Sequence, residues 1–179
     1  MNIPAWMAPS DKDALRSLLM KKAPISVMAI GVFAGSSTQI ISTIPSVKKI
    51  TCIDIFDTRF ISDRALHELG LDRSFDPKEV FLNFVDNELR DDIHLKVFSE
   101  VLTEKTFLEH HDLIFLDADR SSEWLIRVIP HLLKHCEILS GAHFNSDYAR
   151  ELVEVVSTLC PSVQVIEKTN IWYVDTNQT

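Results

Sequence analysis

Two glycines and a cluster of hydroxyl residues follow an apolar run near the start of the chain. The run at residues 27–30 leads into Gly31 and Gly35, and a second apolar run at residues 50–53 ends in Asp54. Glycine has no Cβ atom, so the backbone can turn sharply and a ligand can approach the main chain closely. An aspartate at the end of the next strand can accept hydrogen bonds from a ribose diol. The spacing therefore predicts a βαβ unit that binds an adenosine-bearing ligand.

Hydroxyl side chains at three consecutive positions predict the start of the helix in this unit. Ser36, Ser37 and Thr38 can cap that helix, whose unpaired N–H groups and dipole favour a negatively charged ligand group. The third glycine of the dinucleotide-binding fingerprint is missing, because serine follows Gly35. The loop alone leaves two interpretations open, a binding site and a purely structural turn.

The composition predicts a single domain, residues 1–179, with a helical segment at 1–24 packed on it. At 179 residues and 46% hydrophobic content, the chain can bury one sizeable core. The net charge of −8 argues against nucleic acid as a partner, because phosphate neutralisation needs clustered Lys and Arg. No membrane partner is expected, because no apolar run reaches transmembrane length and the N-terminus does not resemble a signal peptide. Cys52, Cys136 and Cys160 are predicted to be buried thiols in a reducing cytoplasm.

The periodicity of the apolar residues predicts alternating strands and helices. Strands are expected at about 26–32, 49–54, 94–98, 112–117 and 137–140, followed by a terminal pair at 162–168 and 170–174. Helices are expected at about 11–22, 36–44, 63–69, 77–89, 101–109, 121–134 and 146–159, with Ser10 capping the first. Five βα repeats and a terminal hairpin predict a doubly wound α/β fold.

The ends of the predicted strands carry polar residues. In doubly wound sheets, ligands bind outside the carboxyl ends of the strands, near the point where the strand order reverses. The predicted ends are residues 31–35, 54, 98–99, 117–120 and 141–145, so we expect their side chains to converge on one rim. Trp6 and the polar excursion at 57–78 lie where a substrate lid is expected.

These strand ends resemble a known family. Residues 30–38 read IGVFAGSST, residues 53–54 read ID, and residues 113–120 read LIFLDADR. The patterns are similar to those of class I S-adenosylmethionine (SAM)-dependent methyltransferases of the small single-domain type. The opening residues 3–7 and the closing residues 171–174 resemble further segments of that family. The resemblance implies a Rossmann-like methyltransferase sheet, mostly parallel with an antiparallel C-terminal strand.

Carried over residue by residue, the resemblance implies a SAM site. It places Gly31 and Gly35 under the methionine and ribose portions of the cofactor and Asp54 on the ribose hydroxyls. It places Ser99 near the adenine edge and Asp117 at the active site. The remaining residues assigned to the cofactor are Phe33, Ser36, Ser37 and Thr38.

The chain departs from the family pattern at Ala29. The family carries an acid at this position, where it helps to hold the methionyl ammonium group of the cofactor. A missing charge-assisted hydrogen bond costs roughly 1.5–3 kcal/mol, or about one to two decades of affinity. We therefore expect weaker or rearranged cofactor binding.

A second departure concerns metal binding. Asp117 and Asp119 resemble the Asp-Ala-Asp segment of metal-dependent methyltransferases, but the Asp-Asn pair that those enzymes carry after the fifth strand is missing. We therefore predict no magnesium site. A transition-metal site formed by Asp117, Asp119 and His143 is a minor alternative.

His143 is the predicted catalytic base. Histidine accepts a proton near neutral pH, and a methyltransferase needs a base only when the acceptor must lose a proton. Asp119 is predicted to orient His143. The alternatives are a histidine that only packs in its loop and a surface ion pair between Asp119 and Arg120.

Other conspicuous side chains are predicted to be structural. His110–His111 lack a third spaced metal ligand, and His131–His135 lack the glutamate of a metalloprotease motif. Both pairs are predicted to be solvated residues at helix ends. Aromatic residues that recur where core faces are expected are Phe81, Phe84, Phe98, Phe107, Phe115 and Trp124.

The predicted function is SAM-dependent O-methyl transfer to a small-molecule acceptor such as a sugar or metabolite hydroxyl. The alternative is a catalytically degenerate nucleotide-binding or interaction module of the same fold, for which Ala29 is the argument. An NAD(P)-dependent oxidoreductase fits less well, because the third fingerprint glycine is missing. The chain could act as a monomer or as a homodimer.

Overall fold

Seven strands form one sheet in the computed structural model, which describes residues 3–103, 106, 108–118, 121–144 and 150–178. They are β1 (Ser26–Ile30), β2 (Lys49–Ile53), β3 (His94–Phe98), β4 (His111–Leu116), β5 (Cys136–Gly141), β6 (Gln164–Val165) and β7 (Trp172–Asp175). Their order across the sheet is β3-β2-β1-β4-β5-β7-β6. The first five strands are parallel, and β7 is antiparallel to both β5 and β6. The predicted fold class is confirmed.

Helices cover both faces of this sheet. They are α1 (Pro9–Lys22), α2 (Ser36–Ser42), α3 (Asp63–Glu68), α4 (Pro77–Glu88), α5 (Ser122–Leu132) and α6 (Arg150–Leu159). Successive side chains of a strand point to opposite faces. Val27 and Ala29 therefore join the core beneath α1, α2 and α4, whereas Met28 and Ile30 join the core beneath α5 and α6. Because both faces of β1 are buried from Val27 to Ile30, this part of the strand is an unbroken apolar run.

The first helix is tied to the C-terminal strands by a buried carboxylate. Asp11 is only 4% exposed, and its two oxygens accept hydrogen bonds from the backbone N–H and the side-chain Nδ2 of Asn170 at 2.8 and 3.0 Å. Lys22 pairs with Asp175 at the other end of the helix. Ser10 does not cap α1, because the helix already begins at Pro9, and proline suits a first position where the N–H has no helical partner.

The crossover from β3 to β4 differs from the prediction. The sequence pattern predicts a helix at 101–109, but the described residues of this range are not helical. Thr103 and Thr106 bond each other through backbone and hydroxyl groups, which competes with helix formation. The carbonyls of Leu102 and Thr106 are bonded by the Trp124 and His131 side chains instead of by a helical N–H. Phe107 lies outside the described residues.

The predicted terminal hairpin is present, but its first strand is shorter than expected. Only Gln164–Val165 of the range 162–168 pairs with β7. Phe81, Phe84 and Phe115 are fully buried as predicted, whereas Phe98 is 44% exposed because β3 is the edge strand of the sheet. No helix in the described ranges is long and apolar enough to cross a membrane.

The cysteines are free and buried, as predicted. Burial raises the pKa of the Cys52 thiol and of the Cys136 thiol to about 12. A thiol reacts as its thiolate. These two cysteines are therefore inert packing residues at neutral pH.

His111 is not the solvated residue that the sequence predicted. It is 1% exposed within β4, with Nδ1 2.9 Å from the carbonyl of Glu109 and Nε2 2.9 Å from the Thr51 hydroxyl. A carbonyl only accepts, so Nδ1 carries the proton and Nε2 accepts from Thr51. Burial lowers the pKa of His111, and the charge of Lys49 lowers it further against the opposing effect of the Glu109 carbonyl.

The Asp11 tie predicts a stability difference between two aspartates of α1. Asp11→Ala leaves the Asn170 donors without their acceptor, so we expect a loss of about 1–3 kcal/mol in the free energy of unfolding. Asp13→Ala removes a carboxylate that is 78% exposed and should change stability by less than about 0.5 kcal/mol. Urea denaturation followed by circular dichroism measures both values. Equal stability of the two variants would show that the Asp11–Asn170 hydrogen bonds do not stabilise the fold.

The buried His111 predicts a stability that falls with acidity. The pKa of His111 is lower in the folded chain than in the unfolded chain, so below about pH 6.5 the unfolded state binds one more proton than the folded state. The free energy of unfolding therefore falls as the pH falls, by at most about 1.4 kcal/mol per pH unit. His111→Gln should flatten this loss between about pH 7.5 and 5.5. His94→Gln removes an exposed histidine and should leave the slope unchanged. Parallel urea titrations at each pH test the comparison, and identical slopes in wild type and His111→Gln would refute it.

Candidate active site

A cleft of about 1070 Å³ opens at the carboxyl ends of the parallel strands. Ligand pockets commonly span about 300–1,000 Å³, so this cleft has room for a cofactor together with a small acceptor. Its walls come from the N-terminal segment, from the loops after β1 to β5, and from α3 and α5. The lining residues include Trp6, Gly31, Phe33, Ser36, Ser37, Asp54, Asp57, Phe60, Arg64, Glu68, Glu100, Asp117, Trp124 and His143.

Gly31 lies where β1 and β4 come closest. Its φ is +81°, and a Cβ atom at this position would lie 2.0 Å from the carbonyl oxygen of Asp117. Its N–H donates to the carbonyl of Ile53, and the N–H of Asp117 donates to the carbonyl of Ile30. Only glycine therefore permits the ends of the two strands to meet, and the cleft opens above this junction.

The carboxylate of Asp54 holds two loops. One oxygen accepts the N–H of Phe33 at 2.8 Å and the other accepts the N–H of Phe56 at 2.5 Å. Phe33 and Phe56 both have positive φ, at 49° and 51°. Each carboxylate oxygen accepts more than one hydrogen bond, so Asp54 keeps acceptor capacity toward the cleft.

His143 and Asp117 form a pair in the cleft. His143 Nε2 lies 3.0 Å from Asp117 Oδ1, and the two side chains are 14% and 22% exposed. When Nε2 donates to the carboxylate, the lone pair of the ring resides on Nδ1. Asp117 thus makes the orienting contact that was predicted for Asp119, and Asp119 itself lies outside the described residues.

Backbone contacts hold the loop that presents His143. The residue adopts a φ of 68°, which is uncommon for a non-glycine residue. The N–H of the next residue, Phe144, donates to the carbonyl of Asn170 at 3.0 Å, and Asn170 is the residue that Asp11 binds. The Asp11–Asn170 hydrogen bonds that anchor α1 therefore also support the loop that carries His143.

Several predicted cofactor contacts lie in the cleft wall and others do not. Phe33, Ser36 and Ser37 line the cleft. Gly35 instead occupies the N-cap position of α2 and backs onto Phe81, and no side chain caps that helix. Thr38 is fully buried, with its hydroxyl 3.6 Å from the sulfur of Cys52. Gly35 and Thr38 therefore shape the loop from the core side.

The wall beyond β3 begins one residue later than predicted. Ser99 is exposed, and the cleft wall runs through Glu100, Val101 and Leu102. Trp124 also lines the cleft, and its indole N–H donates to the carbonyl of Leu102 at 3.0 Å. The sequence prediction missed Val101 and Leu102 because it placed 101–109 in a helix, and it assigned Trp124 to the core. The strand-end rule applied to β3 gave residues 98–99, and Glu100 is the next residue along the chain.

Ala29 is a buried core residue. It lies in β1 in register with Cys52 and Phe115, and it is 1% exposed. This position supplies no negative charge to the cleft. Among the described residues, no group of three or more His, Cys, Asp or Glu side chains is placed to hold a metal ion.

Comparison with known proteins finds matches of fold. No protein-family model matches the chain, and no curated sequence matches it. Solved structures resemble it at low sequence identity. A putative caffeoyl-CoA O-methyltransferase from Staphylococcus aureus is 12% identical, with a TM-score of 0.64 over 97% of this chain and 86% of that chain. An O-methyltransferase from Bacillus cereus in complex with SAH is 15% identical, with a TM-score of 0.59 over 94% and 81% of the two chains.

A third similar structure is the O-methyltransferase TomG from Streptomyces achromogenes in complex with SAM. It is 14% identical, with a TM-score of 0.58 over 96% of this chain and 82% of that chain. The chain thus has the class I methyltransferase fold, as the sequence resemblance implied.

The junction at Gly31 predicts a difference between two glycines of positive φ. Gly31→Ala should cost more than about 3 kcal/mol of folding stability, because overpacking against backbone adds to the strain of the left-handed conformation. Gly70 has φ +70° with open space where a Cβ atom would lie, so Gly70→Ala should cost only the strain, about 1–2 kcal/mol. Thermal and urea unfolding measure both. A Gly31→Ala protein as stable as Gly70→Ala would contradict the close approach.

Proposed function

We propose that the chain is a SAM-dependent methyltransferase that transfers a methyl group to a hydroxyl of a small-molecule acceptor. One observation carries the proposal. In a sheet of the methyltransferase fold, the Gly31 junction, the Asp54 carboxylate and the Asp117–His143 pair converge on one cleft at the carboxyl ends of the strands.

The residues of the cleft suit the cofactor. Gly31 lines the cleft without a side chain, and Asp54 retains acceptor capacity for ribose hydroxyls. Phe33, Ser36 and Ser37 line the same cleft. When bound, SAM supplies a methyl group on a cationic sulfur, which an acceptor oxygen takes while SAH is left behind.

His143 is proposed to remove the acceptor proton. Asp117 holds the Nε2–H of the ring, so the lone pair on Nδ1 is the site that receives the hydroxyl proton. Once protonated, the imidazolium is stabilised by the adjacent Asp117 carboxylate, and it returns the proton to solvent after transfer. Asp117 is therefore assigned a positioning role in addition to its predicted place beside the cofactor. The role predicted for Asp119 stays a prediction.

The proposal extends to the molecule as a whole. We assign residues 1–179 to one methyltransferase-like domain located in the cytoplasm, with no nucleic acid as acceptor. The acidic composition, with 26 Asp and Glu against 18 Lys and Arg, supports a small-molecule acceptor over a polyanion. A homodimer is compatible with this assignment.

One observation favours a second candidate function. Ala29 leaves the cleft without the acid that the family places near the cofactor's ammonium group. A non-catalytic module that binds a nucleotide or a partner through the same cleft would tolerate this loss. The two candidates differ in turnover, so kinetic measurements separate them.

Calorimetric titration tests the cofactor site. We expect SAM and SAH to bind to the purified chain with micromolar dissociation constants, and NAD not to bind. Asp54→Asn should weaken SAM binding about tenfold to a hundredfold, because a hydrogen bond to a charged group is worth about 1.5–3 kcal/mol. Asp92→Asn, an exposed aspartate remote from the cleft, serves as the matched control. Absence of SAM binding to the folded wild type would overturn the enzyme proposal.

Turnover of a methyl acceptor tests the base. His143→Asn keeps a residue that tolerates positive φ and should lower kcat by about a hundredfold or more, while the SAM dissociation constant changes less than about twofold. Asp117→Asn should lower kcat by a smaller factor, because the ring remains but loses its orienting charge. Unchanged turnover in His143→Asn removes the residue from the mechanism. SAM binding without turnover of any acceptor favours the non-catalytic module.

A further inference from the structure

Two segments distant in sequence form one wall of the cleft. The indole N–H of Trp6 donates to the carbonyl of Ala65 in α3 at 3.2 Å. The Trp6 ring packs on Phe33 at 4.8 Å between centroids, and Phe33 packs on Phe75 at 5.5 Å. The N-terminal segment and the excursion at 57–78 are thereby joined across the loop that follows β1.

This wall offers aromatic surface to the cleft. Phe60, at the end of the turn Thr58–Phe60, is 74% exposed and lines the cleft together with Ile61 and Trp6. The turn is held by Arg73, whose guanidinium donates to the Thr58 carbonyl and to Asp63. A held, exposed aromatic ring at a cleft gives a planar ligand a surface on which to stack.

The charged side chains that the structure describes in the cleft are predominantly negative. Among the described lining residues, the carboxylates are Asp54, Asp57, Glu68, Glu100 and Asp117, and the sole guanidinium is that of Arg64. Arg64 is bonded to Glu68, and Arg59 is bonded to Asp57 through both carboxylate oxygens. These guanidinium groups are thus already paired with acids, whereas Asp54 and Asp117 are held by backbone amides and by His143.

We infer that the acceptor carries a planar ring and no net negative charge. The aromatic wall favours the ring, and the surplus of carboxylates disfavours a carboxylate or phosphate on the acceptor. This inference rests on the proposed methyltransferase function and adds the charge class of its substrate.

Three probes that share one hydroxyphenyl skeleton test the charge class. Tyramine is a cation, 4-hydroxyphenethyl alcohol is neutral, and 4-hydroxyphenylacetate is an anion near neutral pH. We expect kcat/KM for the anion to be at least about tenfold lower than for the cation, with the neutral probe between them. Calorimetric titration of each probe into the protein–SAH complex should give the same order of affinities without relying on turnover.

Pairs of variants test whether cleft residues determine the order of kcat/KM and of affinity among the probes. Glu68→Gln removes one carboxylate from the cleft lining and should narrow the difference in kcat/KM between the cation and the anion several-fold. Glu137→Gln makes the same change in net charge at the start of β5, away from the cleft, and should leave the ratio unchanged. Phe60→Ala should weaken the binding of all three probes, whereas Leu82→Ala, which removes an exposed apolar side chain of α4 outside the cleft lining, should weaken none.

The outcomes separate this inference from the proposed function. Failure to bind SAM overturns both. SAM binding with no binding of any probe overturns the inference and leaves the cofactor site intact. Equal or better use of 4-hydroxyphenylacetate overturns the charge class alone. If Glu137→Gln changes the preference between cation and anion as much as Glu68→Gln does, the preference arises from the net charge of the protein. That result would overturn its assignment to the cleft.

Discussion

The contact between β1 and β4 at Gly31 is the constraint on which the cleft depends. These strands are neighbours in the sheet, but the chain leaves them in opposite directions, toward β2 on one side and β5 on the other. Such a reversal opens a crevice above the strand ends. The strand ends can meet below this crevice because Gly31 has no Cβ atom to collide with the Asp117 carbonyl. The hydrogen bonds from Gly31 to Ile53 and from Asp117 to Ile30 hold the ends of the three strands side by side.

Three non-glycine residues with strained backbone conformations lie around this crevice. Phe33, Phe56 and His143 all have positive φ, a state that costs of order 1–3 kcal/mol for a non-glycine residue. A carboxylate holds each of them: Asp54 binds the amides of the two phenylalanines, and Asp117 binds the ring of His143. The carboxylates of the cleft therefore also hold its loops in their conformations. The cleft is thus preorganised before a ligand binds.

The sequence predicted the parts of the molecule that depend on local pattern. Strands β1, β2, β4 and β5 are apolar runs that end in glycine or acid, and Asp54, Asp117 and His143 follow from the rule that ligands bind at strand ends. Contacts between residues that are distant in the sequence could not be predicted from the local pattern. The carbonyl of Leu102 is taken by Trp124, 22 residues away, and Asn170 is bound by Asp11 across 159 residues. Neither partner has a sequence signature, so the missing helix at 101–109 and the support of the His143 loop could be seen only in the fold.

Ala29 links stability to affinity at the centre of the sheet. An acid at this fully buried position, between Cys52 and Phe115, would be costly to desolvate without a cationic partner. Alanine removes that cost and completes an apolar layer with Val27, Ile50 and other buried side chains of the same face. It also removes an attraction for a ligand ammonium group. The carboxylates that do line the cleft lie at strand ends, in loops and at the end of α3, where backbone amides, histidine and arginine hold them without burying a charge in the core. The chain thus keeps its acidic side chains outside the buried core, where a charge costs less stability.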